Sequence, residues 1–169
     1  MNQSDFLEWL RLYRHELMND LQIIQGYATM GKYEKSNDKI NQLVERLKHE
    51  RQLQTLNADQ FVNWLLTVSL SVKQLDISYT IETSKTDLAD VDDDMKLDSE
   101  LVINYLLPLV GEFDVIPVQI TISGEDRIQL LFEIELLKEK QHDLINSLKT
   151  KGILSNTTND NCLSLTIKY

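Results

Sequence analysis

The apolar positions in the first third of the chain recur at spacings of three and four, the period of an amphipathic helix. This stripe continues for about six turns, begins after Ser4 as a helix N-cap and ends near Gly31, which suits a left-handed C-terminal cap. No proline interrupts residues 1–57. The pattern therefore predicts one long helix, whose buried side is formed by Phe6, Leu10, Tyr13, Leu17, Leu21, Ile24 and Ala28.

A second helix is predicted from Tyr33 to Leu56, after a short turn. Its inner face is formed by Ile40, Leu43, Val44 and Leu47. A connection this short makes the two helices antiparallel neighbours. One hairpin cannot bury both apolar stripes, whereas two hairpins can do so as a four-helix bundle, so we expect a homodimer.

The period of the pattern changes after about residue 58. The predicted helices cover 61–75, 95–110 and 138–151, and the predicted strands cover 77–81, 118–122, 128–136 and 163–167. A turn is predicted at 123–126 and a polar loop at 156–161. The acidic run 92–94 suits a helix start better than a metal site. The expected fold class is mainly α plus α+β, with a helical-hairpin domain at 1–57 and a small α+β sandwich at 58–169.

The composition narrows the class of partner. The chain has 169 residues and a formal net charge of -10, and such an acidic surface repels nucleic acid. Cys162 is the only cysteine, which excludes an internal disulfide and gives no zinc pattern. No basic signal-peptide region opens the chain, and no segment approaches the ~18 apolar residues of a membrane span. These features favour a cytoplasmic protein with no nucleic-acid or membrane partner.

The candidate chemistry lies opposite the apolar stripe of the first helix. At about 100° per residue, His15 lies roughly 160° from Leu17, with Asn19 and Gln22 on the same outer face. An exposed neutral imidazole is a good nucleophile near neutral pH. The carboxylate of Glu16 can hold the ring in one tautomer, and Asn19 can donate a hydrogen bond to phosphoryl oxygens. This arrangement suits phosphoryl transfer, which needs little beyond placement and charge neutralisation.

Two apolar residues, Leu12 and Ile23, are also expected to point outward. They would form an apolar surface on which a helix of a partner protein could dock. The short pattern His-acid-x-x-Asn is weak by itself, because a solitary helical histidine is usually only solvated. It occurs again at His142–Asn146, where we attribute it to chance because no long hairpin or preceding arginine accompanies it.

The longer string around His15 is more specific. From Tyr13 to Gly26 the chain reads YRHELMNDLQIIQG, and the turn at 31–34 reads GKYE. This string resembles the helical domain shared by the sporulation initiation phosphotransferase B of bacilli and the citrate-type sensor kinases. The pattern of that family is roughly Arg-His-Asp-x-x-Asn-x-Leu-Gln-x-Ile-x-Gly, followed by a Gly-Lys-Tyr turn. Glu16 departs from it but keeps the carboxylate.

The resemblance implies that His15 is the phospho-acceptor and that Glu16 and Asn19 assist it. A partner-docking surface is expected from Arg11, Leu12, Arg14, Gln22 and Ile23. The implied partners are response-regulator receiver domains, which would bring the Mg²⁺ with them. No cofactor of the chain's own is expected.

A sensor kinase of this family would also carry an ATP-binding domain, and the element order after residue 58 resembles a degenerate one. The asparagine that should hold Mg²⁺ is replaced by Leu109, Asn104 is out of register, and Asp-x-Gly-x-Gly occurs nowhere. The sequence therefore predicts a histidine phosphotransferase of a phosphorelay and not an ATP-dependent autokinase. The alternative is a non-enzymatic dimeric scaffold that kept the fold.

Overall fold

A computed structural model of the chain describes residues 3–149, 154–159 and 161–169. The chain divides into two compact units, Met1–Leu53 and Gln54–Tyr169. The sequence pattern placed the boundary at residue 57, one residue after the expected end of the second helix at Leu56. Among the described ranges, none of the helices is both long enough and apolar enough to cross a membrane.

The first unit is a pair of helices, α1 (Gln3–Thr29) and α2 (Tyr33–Leu53). The predicted helical hairpin is thus confirmed. The predicted cap at Ser4 is wrong, because α1 already includes Gln3. Helix α2 is three residues shorter than the pattern predicted, and the apolar spacing had already weakened beyond Leu47.

The turn between α1 and α2 is a Schellman motif. Gly31 has a φ of 70°, the left-handed conformation that was predicted for it. The Lys32 amide donates to the Tyr27 carbonyl at 2.9 Å, and the Gly31 amide donates to the Ala28 carbonyl at 3.0 Å. These bonds satisfy the last carbonyls of α1 and allow α2 to begin at Tyr33.

The second unit combines three α-helices with a five-stranded sheet whose order is β1-β2-β3-β5-β4. Strand β1 is parallel to β2, and the other neighbours are antiparallel. The helices are α3 (Asp59–Ser71), α4 (Asp92–Leu106) and α5 (Lys138–Lys149). The strands are β1 (Leu75–Ile81), β2 (Ile116–Ser123), β3 (Gln129–Glu135), β4 (Leu154–Asn159) and β5 (Cys162–Lys168).

The core of this unit lies on one face of the sheet. Ile120, Phe132 and Leu165 stand opposite one another on three adjacent strands, and each is fully buried. Cross-strand apolar rows of this kind are the unit of sheet stabilisation. Helix α4 packs against both α3 and α5, so the three helices form the second layer. The predicted α+β sandwich is confirmed.

Two of the predicted helices have boundaries that differ from the structure. The helix predicted at 61–75 ends at Ser71, because Leu75 already begins β1. The helix predicted at 95–110 begins at Asp92 and ends at Leu106, where a 3₁₀ turn containing Pro108 follows. The predicted helix end at 151 lies outside the described residues.

The polar loop predicted at 156–161 is wrong for most of its length. Residues 154–159 form β4, which pairs antiparallel with β5 and has an irregularity between Thr157 and Asn159. Strand β4 lies at the edge of the sheet and contains Ser, Thr and Asn. A polar edge strand has no apolar alternation, so periodicity alone could not reveal it.

The carboxylate of Asp92 caps a helix other than its own. Its Oδ1 accepts a hydrogen bond from the Phe61 amide at 2.7 Å, and its Oδ2 accepts one from the Gln60 amide at 2.9 Å. These amides lie in the first turn of α3, where the N-cap residue Ala58 makes no side-chain capping bond. Asp92 therefore supplies the missing cap and joins the start of α4 to the start of α3.

We expect the substitution Asp92→Ala to lower the free energy of unfolding by about 1–2 kcal/mol, because two first-turn amides lose their acceptor. The matched control is Asp93→Ala, which removes an exposed acid from the same first turn of α4. Urea unfolding followed by circular dichroism measures both. Equal losses in the two variants would show that the cap on α3 contributes nothing.

Candidate functional site

His15 lies near the middle of α1 and is exposed, as the sequence predicted. Arg11, Asn19 and Gln22 are exposed as well. They lie four residues before, four after and seven after the histidine, spacings that place side chains on one side of a helix. We call these four residues the His15 face. It brings an imidazole, an amide pair and a guanidinium together without any barrier to solvent.

The other residues expected around His15 are less open or point elsewhere. Arg14 is exposed but lies about 100° around the helix from His15. Glu16, Leu12 and Ile23 are half-buried. Leu12 and Ile23 were expected to point outward, and the structure leaves only part of each side chain open to a docking partner.

Polar pairs between α1 and α2 set the direction in which His15 points. The Tyr13 hydroxyl donates to Glu50 Oε2 at 3.0 Å, and Arg46 Nη1 lies 2.9 Å from Asp20 Oδ2. Tyr13 and Asp20 are seven residues apart and therefore lie on the same side of α1. His15 follows Tyr13 by two residues, about 200° around the helix, so it faces away from α2.

These pairs are shielded from water more than ordinary surface ion pairs. The side chains of Asp20 and Glu50 keep 18% and 16% of their surface exposed. Arg46 Nε lies 3.6 Å from Glu50 Oε1, which is an ion-pair distance but too long for a hydrogen bond. A third link between the helices comes from the buried Ser36, whose hydroxyl donates to the Ile24 carbonyl at 3.2 Å.

The sequence interpretation missed this network. It treated Tyr13 as part of the apolar stripe and assigned no role to Asp20, Arg46 or Glu50. Two spacings could have revealed it: Tyr13 and Asp20 are seven apart in α1, and Arg46 and Glu50 are four apart in α2. Both spacings place the paired groups on one side of their helix.

Part of the predicted inner stripe is exposed in the single chain. Four apolar side chains keep between 38% and 45% of their surface: Leu21, Ile40, Val44 and Leu47, all of which we call the apolar strip. Each helix has one side that faces its neighbour. The residues of the apolar strip lie roughly a quarter turn around their helix from that side. The two helices run antiparallel, so this rotation brings both sets to one side of the hairpin.

The second copy of the short motif lies on α5. His142, Asp143 and Asn146 are exposed, and His142 Nδ1 lies 2.9 Å from the Lys138 carbonyl. Leu109, which stands where a kinase has its metal-binding asparagine, lies in the 3₁₀ turn after α4. Within the described part of the chain, no group of three or more His, Cys, Asp or Glu residues is placed to hold a metal ion.

Residues 1–56 match a family model described as the sensor kinase SpoOB-type, alpha-helical domain. The match covers the helical unit of the chain. The resemblance expected from the string around His15 is therefore confirmed for the helical part of the chain. No curated protein matches the chain.

Several solved histidine kinases are similar in fold. The blue-light activated histidine kinase of Erythrobacter litoralis EL346 is 11% identical, with a TM-score of 0.44, and the match covers 91% of this chain and 58% of that one. Histidine kinase ThkA, in complex with response regulator protein TrrA, is 16% identical, with a TM-score of 0.39 and coverages of 95% and 61%. Histidine kinase AdeS of Acinetobacter baumannii is 16% identical, with a TM-score of 0.31 and coverages of 91% and 96%. The chain thus spans less than two thirds of the length of the first two kinases.

We expect the substitution Tyr13→Phe to lower the free energy of unfolding by about 0.5–1 kcal/mol at neutral pH, because a half-exposed hydrogen bond to Glu50 is lost. The matched control is Tyr33→Phe, since Tyr33 is 69% exposed. Urea unfolding measures both variants. A loss no larger in Tyr13→Phe than in Tyr33→Phe would contradict a role for the hydroxyl.

The same tyrosine also makes the hairpin sensitive to alkali. Partial burial, followed by the negative charge of Glu50 and the hydrogen bond to it, raises the pKa of Tyr13. The folded state then holds the phenol proton more tightly than the unfolded state. This contribution to stability is complete below about pH 10 and is lost as pH rises through the raised pKa. Burial also raises the pKa of Tyr169, so the relevant measurement is the difference between wild type and Tyr13→Phe, which should shrink as the pH rises.

Proposed function

We propose that this chain is a histidine phosphotransferase that relays phosphoryl groups between response-regulator aspartates through His15. The observation that carries the proposal is the exposed imidazole on a SpoOB-type helix, with Asn19 and Gln22 beside it on the same face. A receiver domain must present its aspartyl phosphate in line with a ring nitrogen. An exposed position in the middle of a long helix permits that approach without rearrangement.

The transfer is a displacement at phosphorus. The lone pair of one neutral ring nitrogen forms the N–P bond while the acyl P–O bond breaks, and the receiver aspartate leaves as a carboxylate. The other ring nitrogen keeps its proton, so the phosphorylated ring is cationic and balances part of the phosphoryl charge. The reverse reaction returns the group to a second receiver. The protein has to supply position and charge, and no nucleophile beyond the imidazole is needed.

Two neighbours assist in this scheme. The Glu16 carboxylate holds the proton on the non-reacting nitrogen, and the Asn19 amide donates to the phosphoryl oxygens. Docking of the receiver uses the surroundings of the histidine, namely Arg11, Leu12, Arg14, Gln22 and Ile23. The receiver brings the Mg²⁺, and this chain contributes no cofactor. The proposal also places the chain in the cytoplasm, where receiver domains act.

The source of the phosphoryl group distinguishes the proposed phosphotransferase from a kinase. The position of the metal-binding asparagine is occupied by Leu109, and Asp-x-Gly-x-Gly is missing from the sequence. The sequence therefore offers neither the kinase ligand for Mg²⁺ nor a glycine-rich loop whose backbone could contact the phosphates of ATP. We therefore propose that the phosphoryl group comes from a receiver and not from ATP.

We expect the wild-type chain to take an acid-labile phosphate from a phosphorylated receiver domain, and the variant His15→Ala to take none. His142→Ala is the matched control and should label like the wild type. The measurement is transfer of radioactive phosphate, resolved by electrophoresis. A wild type that takes no label from any receiver would favour the scaffold alternative, and labelling from ATP alone would favour a kinase.

The apolar strip supports a homodimer. It places four partly exposed apolar side chains, Leu21, Ile40, Val44 and Leu47, on one side of the two-helix hairpin. A second copy presents the same strip, and two hairpins joined in this way form a four-helix bundle. Leu21 and His15 lie about 120° apart around α1, so covering the strip leaves the histidine accessible.

We expect the substitution Leu47→Glu to shift the chain from dimer to monomer, because a buried interface position would acquire an unpaired charge. The matched control is Leu97→Glu on α4, since Leu97 is also exposed, at 53%. Sedimentation velocity at several concentrations measures the change. A wild type that sediments as a monomer, or a Leu97→Glu variant that dissociates equally, would contradict the role of the strip.

A further inference from the structure

One arginine shares the exposed face of His15. Arg11 precedes the histidine by four residues, which places the two side chains one above the other on the helix surface. The other arginine of α1, Arg14, adjoins His15 in sequence but lies about 100° around the helix. The arginine of the family pattern is Arg14, whereas the arginine on the same face as His15 is Arg11.

The direction of helical side chains favours Arg11 further. Side chains in an α-helix lean toward the N-terminus and cover the preceding turn. The His15 ring therefore leans over the turn that contains Arg11, while the Asn19 amide leans back toward His15. A phosphoryl group on the His15 ring would therefore lie over the helical turn that contains Arg11, and the Asn19 amide would lie on the C-terminal side of the ring.

Arg11 makes only a loose ion pair with Glu8. Its Nη2 lies 4.0 Å from Glu8 Oε1, at the limit of an ion pair, and the two side chains are 78% and 69% exposed. Ion pairs this exposed contribute little to stability. A guanidinium can instead bind a dianionic phosphoryl group through two parallel hydrogen bonds, which are shorter and stronger.

We propose that Arg11 is a positioning residue that leaves Glu8 and binds the phosphoryl group once it is on His15. This inference rests on the proposed role of His15 as a phosphoryl acceptor. It assigns to Arg11 the neutralisation of charge on the phosphorylated state, in addition to any contact with a receiver. Glu8 then competes with the phosphoryl group for the same guanidinium.

The experiment phosphorylates the protein chemically, so that no receiver is needed. Phosphoramidate is the probe: a His15 ring nitrogen forms the N–P bond, the P–N bond of the reagent breaks, and ammonia leaves. The chain contains three histidines. All proteins therefore carry His49→Gln and His142→Gln, so that only His15 can be labelled. Phosphorus NMR then follows the titration of the phosphoryl group with pH.

We expect Arg11→Gln to move the titration midpoint to higher pH by about 0.3–0.7 of a pH unit, because a nearby cation favours the dianion. Arg11→Lys should restore part of the shift. Glu8→Gln should move the midpoint in the opposite direction, since it frees the guanidinium. Arg14→Gln removes the same charge from another side of the helix and should move the midpoint less than Arg11→Gln. Circular dichroism checks that every variant keeps its helix.

Equal shifts in Arg11→Gln and Arg14→Gln would overturn the proposal, as would a Glu8→Gln midpoint that moves upward. A parent protein that phosphoramidate cannot label would also overturn it, because the ring would not be open to a phosphoryl group. The proposed relay fails independently, through absence of transfer from a phosphorylated receiver. Failure of the relay would leave the NMR titration interpretable, and equal shifts in Arg11→Gln and Arg14→Gln would leave the relay standing.

Discussion

The half-buried polar pairs between α1 and α2 determine the orientation of every other residue on the first helix. A straight helix beside a single neighbour can rotate about its own axis unless specific contacts prevent it. The hydrogen bond of Tyr13 with Glu50 and the ion pair of Asp20 with Arg46 hold one side of α1 toward α2. His15 is exposed as a consequence, without needing a contact of its own to hold it outward.

The same rotation decides which apolar side chains are covered. With polar groups occupying part of the seam between the helices, the side of the hairpin that carries Leu21, Val44 and Leu47 remains open. The formal net charge of the chain is -10, so an open apolar surface is unusual for it, and we propose that a second copy covers this surface. The apolar strip and the His15 face lie on different sides of α1, so the proposed dimer contact and the proposed phosphoryl transfer would not compete for the same surface.

The second unit shows where periodicity is a sufficient guide and where it is not. Strands β2, β3 and β5 alternate apolar and polar residues because one face is buried, so they could be predicted from the sequence. Strand β4 is polar and is held by backbone pairing with β5, which leaves no alternation to read. The cap that Asp92 provides for α3 also has no local signal, since its acceptor and donors are more than thirty residues apart.

The sequence by itself determined the long amphipathic helix, the glycine turn after it and the placement of His15, Asn19 and Gln22 on one face. These features follow from residues within a few turns of one another, and helical spacing expresses them directly. Only the tertiary structure decided which side of α1 faces α2, and hence that Leu12 and Ile23 are half-buried while Leu21 is exposed. A helical pattern defines angles between side chains but carries no absolute direction. That direction came from polar partners on a second helix.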